Sequence, residues 1–124
     1  MDNLPLVIAS GNEGKIREFK KLLEDFPFNL STQPLGFEIE ETGTTFKDNA
    51  RIKAIAVSKE TGNLSLADDS GLSVEALGGA PGIYSSRYAS SDKQRIEKLL
   101  SELKPFSNRK AKFECALCLS LIHI

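Results

Sequence analysis

Two carboxylates stand side by side in Leu64-Ser65-Leu66-Ala67-Asp68-Asp69-Ser70-Gly71. Leu64, Leu66 and Ala67 are apolar and predict a short strand, and Gly71 is placed to let the chain turn sharply after the acids. Adjacent carboxylates repel each other, and they are comfortable in water or beside a cation that both can share. A strand end that opens into a turn is where α/β proteins carry their chemistry. The same four residues, Asp-Asp-Ser-Gly, are also ordinary turn chemistry, so they need company before they point to a site.

Other residues supply it. Ser10-Gly11-Asn12-Glu13-Gly14-Lys15 lies between an apolar run and a helical pattern, so backbone N–H groups, two glycines and a lysine meet at a helix N-terminus. That combination suits an anion, above all phosphate. A lysine in the first helical turn opposes the helix dipole at a cost of about 0.3–1 kcal/mol, and a bound phosphate reverses the sign. The spacing is neither that of a Walker A loop nor G-x-G-x-x-G. An ordinary capped helix with a solvated lysine also fits this segment. Asn49 and Lys53 lie four apart on a second helical pattern and share a side. Glu40 and Glu41 precede Thr42-Gly43 in a loop, and Arg87 follows a glycine-rich stretch within Tyr84-Ser85-Ser86-Arg87-Tyr88. Each of these has a plain surface reading as well, and for Arg87 that reading is packing on tyrosine.

The elements that must position these residues are legible. Pro5 to Ala9 reads as a buried strand. Ile16, Phe19, Leu22, Leu23 and Phe26 recur at helical spacing, which predicts an amphipathic helix of roughly three turns, capped by Asn12 and ended by Pro27. Phe28 to Thr32 reads as a strand, and Gln33 to Gly43 as a loop. Thr45-Phe46-Lys47-Asp48 is a capping signal for a second helix, which runs to about Glu60, buries Phe46, Ala50, Ala54 and Val57, and closes at Gly62-Asn63. After the Asp68-Asp69 strand, Leu72 to Glu75 alternates like a further strand and Gly78 to Gly82 is a loop. Ser91 or Asp92 caps a third helix with Ile96, Leu99, Leu100 and Leu103 on one face. From Arg109 onward the tract is strand-like, and after Glu114 it is apolar on both faces, which predicts an interior strand covered on each side. Strands alternating with helices predict an α/β fold, a mixed sheet flanked by helices.

The 124 residues suit one domain, 1–124, and the 40% hydrophobic and 27% charged content suits a globular protein. A net charge of −1 gives no electrostatic reason to expect nucleic acid or an anionic membrane as partner. No apolar run reaches membrane-span length, and the N-terminus lacks signal-peptide character, so the expected location is cytoplasmic. Cys115 and Cys118 have C-x-x-C spacing, but on a strand such positions face opposite ways. With His123 the one nearby third ligand, two buried core thiols are expected rather than a metal or redox site.

Four segments in register carry a resemblance. They are Ser10-Gly11-Asn12-x-x-Lys15, then Glu40-Glu41-Thr42-Gly43-Thr44-Thr45-Phe46-x-x-Asn49-Ala50, then Ala67 to Leu72, then Leu77 to Tyr88. Together they resemble the inosine triphosphate pyrophosphatase family over Leu6 to about Leu119. The resemblance implies an elongated α/β protein with a central cleft, usually a homodimer. It also implies Mg²⁺-dependent hydrolysis of non-standard purine nucleoside triphosphates (ITP, dITP, XTP) to the monophosphate and pyrophosphate. By motif match, Ser10, Gly11, Asn12, Glu13, Gly14 and Lys15 hold the triphosphate, Lys53 assists, and Ser70 and Arg87 contact substrate. Asp69 is the general base and a metal ligand with Asp68 beside it, and one of Glu40 and Glu41 is a further metal ligand. Family members continue past the point where this sequence stops, with base-gripping motifs that are not found in it. The expectation is therefore a C-terminally incomplete family fold, weak in turnover and prone to strand pairing between copies. The alternative is a nucleotide- or phosphate-binding remnant without catalysis.

Overall fold

Four consecutive buried residues, Leu6, Val7, Ile8 and Ala9, mark the middle of the sheet. The computed structural model describes residues 3–121. Strand β1 (Leu4–Ile8) lies between β2 (Phe28–Thr32) and β3 (Leu64–Val74), and β4 (Ala111–Ser120) completes the order β2-β1-β3-β4. β1 pairs in parallel with β2 from Leu4↔Phe28 to Ile8↔Thr32, and with β3 from Leu6↔Leu64 to Ile8↔Leu66. Parallel neighbours need crossovers. Helix α1 (Glu13–Leu22) lies between β1 and β2 in the chain, and α2 (Phe46–Thr61) precedes β3. A strand paired in parallel on both edges is buried on both faces, which is why β1 is continuously apolar.

The chain divides into two compact units. One contains the residues up to Asp68 together with Ala116 onward, and the other is Asp69–Cys115. In the first, Val7, Ala9, Ala54, Val57 and Ala67 form the core, with Phe37, Ile39 and Cys118 packed against it. α2 buries Asn49, Ala50, Ala54, Val57 and Ser58, a stripe at helical spacing, while Phe46 is only half-buried. The alanines of that stripe let the helix lie close on the sheet. Ser65 Oγ on β3 donates to the Ala54 carbonyl, and Ser58 Oγ lies 2.7 Å from the Asn63 carbonyl and 3.0 Å from that of Ser120 on β4. Gly62, at φ 69, ends α2 in the left-handed conformation that favours glycine, its N–H donating to Ser58 O at 2.8 Å.

The second unit holds the later half of β3, two 3-10 turns (Glu75–Leu77 and Gly82–Arg87), helix α3 (Asp92–Leu103) and the start of β4. Ser85 Oγ accepts from Leu72 N at 3.0 Å and donates to Gly82 O at 2.7 Å, tying the strand to the second turn. Ser91 caps α3 by accepting from Gln94 N.

Five expectations need correction. The strand does not stop at Gly71: β3 runs on for eleven residues to Val74, with Asp68, Asp69 and Gly71 all buried within it. Turn-type residues yield here to sheet pairing, a tertiary override of local preference. α1 ends at Leu22 rather than at Pro27: Leu23 already leaves helical geometry at φ −103 and ψ 5, while the proline constrains only Phe26. On α3 only Leu103 is buried, while Ile96 and Leu100 are exposed. β4 is an edge strand, not an interior one. Its residues alternate between exposed and half-buried, so Phe113, Leu117 and Leu119 present an open apolar face. The same alternation sends Cys115 and Cys118 to opposite faces, as expected, but leaves Cys115 exposed and Cys118 half-buried instead of making both core thiols. His123 and the last residues of the apolar tail lie outside the described residues.

Candidate functional site

The C-terminal end of β1 is fastened to β3 by Ala9 N donating to Leu66 O at 2.8 Å. Ser10 therefore leaves the sheet beside the residues that lead to Asp68, and the next turn starts α1. Asn12 caps it, as expected, its Oδ1 accepting from Gly14 N at 2.9 Å and Lys15 N at 3.3 Å. Ser10 Oγ accepts from Asn12 N at 3.1 Å. The sequence suggested free amides for an anion at this turn. Three of them are instead taken up inside the loop, because a capping asparagine supplies the acceptor the helix end lacks. A phosphate that uses those amides has to displace the Asn12 carboxamide. Gly14 allows the tight approach, since a Cβ there would lie 3.2 Å from Asn12 Oδ1.

Lys15 is not a solvated lysine. Its Nζ lies 3.1 Å from Asp68 Oδ2, with the Asp68 side chain 8% exposed and that of Lys15 30% exposed. Each offsets a penalty of the other: the ammonium answers a buried carboxylate, and the carboxylate answers a cation at the positive end of a helix.

A second pair forms at α2. Lys53 Nζ lies 2.9 Å from Glu41 Oε1, with side-chain exposures of 15% and 21%. Glu40, its neighbour, is exposed. The loop carrying Glu41 is held from inside the helix. Asn49, fully buried, accepts from Gly43 N through Oδ1 at 2.8 Å, while its Nδ2 is buried without a hydrogen-bond partner. Gly43 has no room for a side chain, because a Cβ would come within 2.7 Å of both Asn49 Oδ1 and Asp48 Cβ. Thr45 Oγ1 accepts from Asp48 N at 3.0 Å and starts the helix just after the held glycine. Sequence reasoning placed Asn49 beside Lys53 but gave it no role. A polar residue in line with Ala50, Ala54 and Val57 was the available signal, since buried amides are kept where they hold something.

In the second unit Asp69 is 6% exposed and Ser70 half-buried. Arg87 is exposed, with its guanidinium 5.5 Å from the centre of the Tyr84 ring, so the packing reading describes its observed position. This unit also contains a cavity of about 440 Å³ lined by Ser73, Glu75, Gly78, Gly79, Lys110, Ala111 and Lys112, none of them a predicted site residue. Beside it Glu114 accepts from Lys112 at 3.0 Å and Ser73 Oγ at 3.1 Å, and these two hydrogen bonds hold its carboxyl below the ordinary 4.5.

The donors available to a cation are carboxylate oxygens, which suit Mg²⁺. Among the described residues no three His, Cys, Asp or Glu side chains gather to hold an ion. Mg²⁺ does not require such a cage, because it is commonly held by one or two carboxylates plus the phosphates of a substrate. The carboxylates present are compatible with that mode.

An open sheet with parallel pairs on both edges of β1, flanked by helices, with Lys15 and Lys53 on the helices and Asp68 and Asp69 inside β3, places the chain among α/β proteins. Comparison with known proteins narrows this: the Ham1 family model matches residues 6–123, and the chain belongs to the Ham1 family. It is 87% identical over 120 residues to a dITP/XTP pyrophosphatase of Prochlorococcus marinus (strain NATL1A), covering 97% of this chain and 61% of that protein. A dITP/XTP pyrophosphatase of Synechococcus sp. (strain CC9311) is 60% identical over 120 residues, covering 97% of this chain and 58% of the relative. Among solved structures, the Ham1 protein of Staphylococcus aureus superposes with TM-score 0.83 at 44% identity, over 95% of this chain and 64% of that one. A HAM1 protein from Coxiella burnetii gives TM-score 0.85 at 44% identity, over 94% and 62%. The chain thus spans about three-fifths of the length of these curated relatives. The α/β class expected from the alternation of strands and helices is the class these structures share.

Proposed function

We propose that the protein of which these residues are part hydrolyses non-standard purine nucleoside triphosphates (ITP, dITP, XTP) to the monophosphate and pyrophosphate, with Mg²⁺. The observation that carries the reading is the pair of low-exposure lysine–carboxylate contacts, Lys15–Asp68 and Lys53–Glu41, in a chain so similar to dITP/XTP pyrophosphatases. Lysines and acids in that number are what a metal–triphosphate needs: cations for the phosphates and hard oxygens for the metal. When bound, Mg²⁺ neutralises phosphate charge and polarises the phosphorus under attack. Lys15 and Lys53 hold the departing pyrophosphate. Glu41 and Asp68 are the acids that would hold the metal, and Glu41 is preferred to Glu40 because it is half-buried and held in place through Gly43 and Asn49. Asp69, buried, is the base that takes a proton from the attacking water and a metal ligand beside it. Ser10 to Gly14, Ser70 and Arg87 complete the substrate contacts. Residues 1–124 form part of one such domain, acting in the cytoplasm as a homodimer. No helix among the described residues is long and apolar enough to cross a membrane.

Asp69→Asn in the natural full-length protein tests the base. Nucleotide affinity is expected to persist while kcat falls by about 10²-fold or more. Turnover within about threefold of the parent would remove Asp69 from that role.

A further inference from the structure

Under the reading above, Lys15 and Lys53 serve phosphates while Asp68 and Glu41 serve the metal. In the structure these groups satisfy one another, Lys15 Nζ at 3.1 Å from Asp68 Oδ2 and Lys53 Nζ at 2.9 Å from Glu41 Oε1. We propose that the metal and the triphosphate enter by exchanging these two ion pairs, so that each ligand alone binds weakly and each strongly favours the other.

The two ammoniums and two carboxylates of these pairs cancel in charge among themselves, and Asp69, next to Asp68 in the sequence, adds one carboxylate to the metal side. A bare Mg²⁺ that takes the carboxylates has to displace two ammoniums and leave them close to itself. A bare triphosphate that takes the lysines leaves two carboxylates close to its own negative charge. A metal–triphosphate brings both signs, so each displaced group gains a new partner in the same step. Side-chain exposures between 8% and 30% keep these charges partly out of water, where screening is weak. Lysine suits the exchange, because its point charge sits on a flexible stem and can leave one oxygen for another. Lys15 also sits where the helix dipole disfavours a cation, so its contact with Asp68 is one a phosphate can replace. Asp68 and Glu41 then act as guards against stray anions, and the lysines as guards against stray divalent cations. Coupling of this kind is reciprocal: the factor by which Mg²⁺ tightens triphosphate is the factor by which triphosphate tightens Mg²⁺.

The proposal rests on the phosphate and metal reading of these residues, and the experiment separates the two. Calorimetric titrations use MgCl₂ alone, inorganic triphosphate alone, and the two together, with their association in solution subtracted. In the parent protein the two together are expected to bind, with a coupling of at least about tenfold. Lys53→Met leaves Glu41 without this ammonium, so MgCl₂ alone is expected to bind about tenfold tighter or more, although the metal–triphosphate binds less well. Glu41→Gln takes one carboxylate charge from beside Lys53, so inorganic triphosphate alone is expected to bind about tenfold tighter or more. Lys15→Met and Asp68→Asn repeat the comparison at the other pair and cover the case in which one variant fails to fold. Groups that were simple ligands without exchange would lose affinity for the complex and gain none for the separate ions. That result overturns the exchange while leaving the site assignment standing. If the parent binds no metal–triphosphate, the site assignment fails and the exchange fails with it.

Discussion

Replacing Asn49 by alanine removes the side chain that holds the backbone of the Glu41 loop at Gly43. The Asn49 Oδ1 contact with Gly43 N is 2.8 Å long and Asn49 is fully buried, so its loss strands a part-buried amide. A net hydrogen bond contributes about 0.5–1.5 kcal/mol, and a donor left unsatisfied costs about 1–3 kcal/mol. Against this, the variant also deletes Nδ2, a buried donor with no partner, and so recovers about 1 kcal/mol. With the cavity left by a fully buried side chain added, the expected net loss is about 1–2 kcal/mol. With a urea m-value near 1.5 kcal/mol/M, the midpoint should fall by about 1 M. Backbone amide shifts in an NMR spectrum should change at Glu41 to Gly43 as well as around Asn49, because the loop is released. Gly43→Ala attacks the same contact from the other side, with its Cβ 2.7 Å from Asn49 Oδ1. The two changes should therefore be less than additive when combined. A loss below about 0.3 kcal/mol for Asn49→Ala, or unchanged amides at Glu41 to Gly43, would refute the idea that Asn49 positions the acid.

Lys15→Met leaves Asp68 in a site where its side chain is only 8% exposed, and it should destabilise the protein at pH 7 by about 1–2 kcal/mol, a figure lowered from that of a fully buried pair because Lys15 is itself about a third exposed. Urea unfolding measures it, and added MgCl₂ should restore part of the loss in the variant but not in the parent. Glu114 should titrate below 4.5 by carboxyl-observed NMR, because Lys112 and Ser73 favour its charged form, and Lys112→Met should move it upward. A depressed folded pKa means the contribution is present above the unfolded value and is lost as pH falls through the folded one. Removing Lys112 should therefore flatten the stability profile below pH 4.5 and change its shape little above it.

Local signals were enough for much of the frame. The apolar run at Leu6 to Ala9, the strand Phe28–Thr32, the Asn12 cap, and the Thr45 start and Gly62 stop of α2 all lie where nearest neighbours in sequence decide them. The passage of β3 through Asp68, Asp69, Ser70 and Gly71 was not legible, because those residues favour a turn in isolation and are extended only by pairing. The site shows the same division. The residue types were visible in the motifs, but not that Lys15 meets Asp68 or that Lys53 meets Glu41, since both contacts join segments separated along the chain. That Glu41 is half-buried beside Lys53 while Glu40 is exposed had no local signal either: it rests on burial and on Asn49 reaching back to Gly43. On α3 the apolar pattern of Ile96, Leu99, Leu100 and Leu103 promised a buried face, but a periodic stripe says only which side can be covered, not whether an element lies over it.

The central claim is attack by water at the α-phosphorus, and the fate of isotopic oxygen tests it most directly. The natural full-length protein is incubated with ITP and Mg²⁺ in ¹⁸O-water, and the products are separated and weighed by mass spectrometry. One ¹⁸O atom in inosine monophosphate, with unlabelled pyrophosphate released in equal amount, is the expected result. Labelled orthophosphate together with inosine diphosphate, or no turnover of ITP at all, would contradict it.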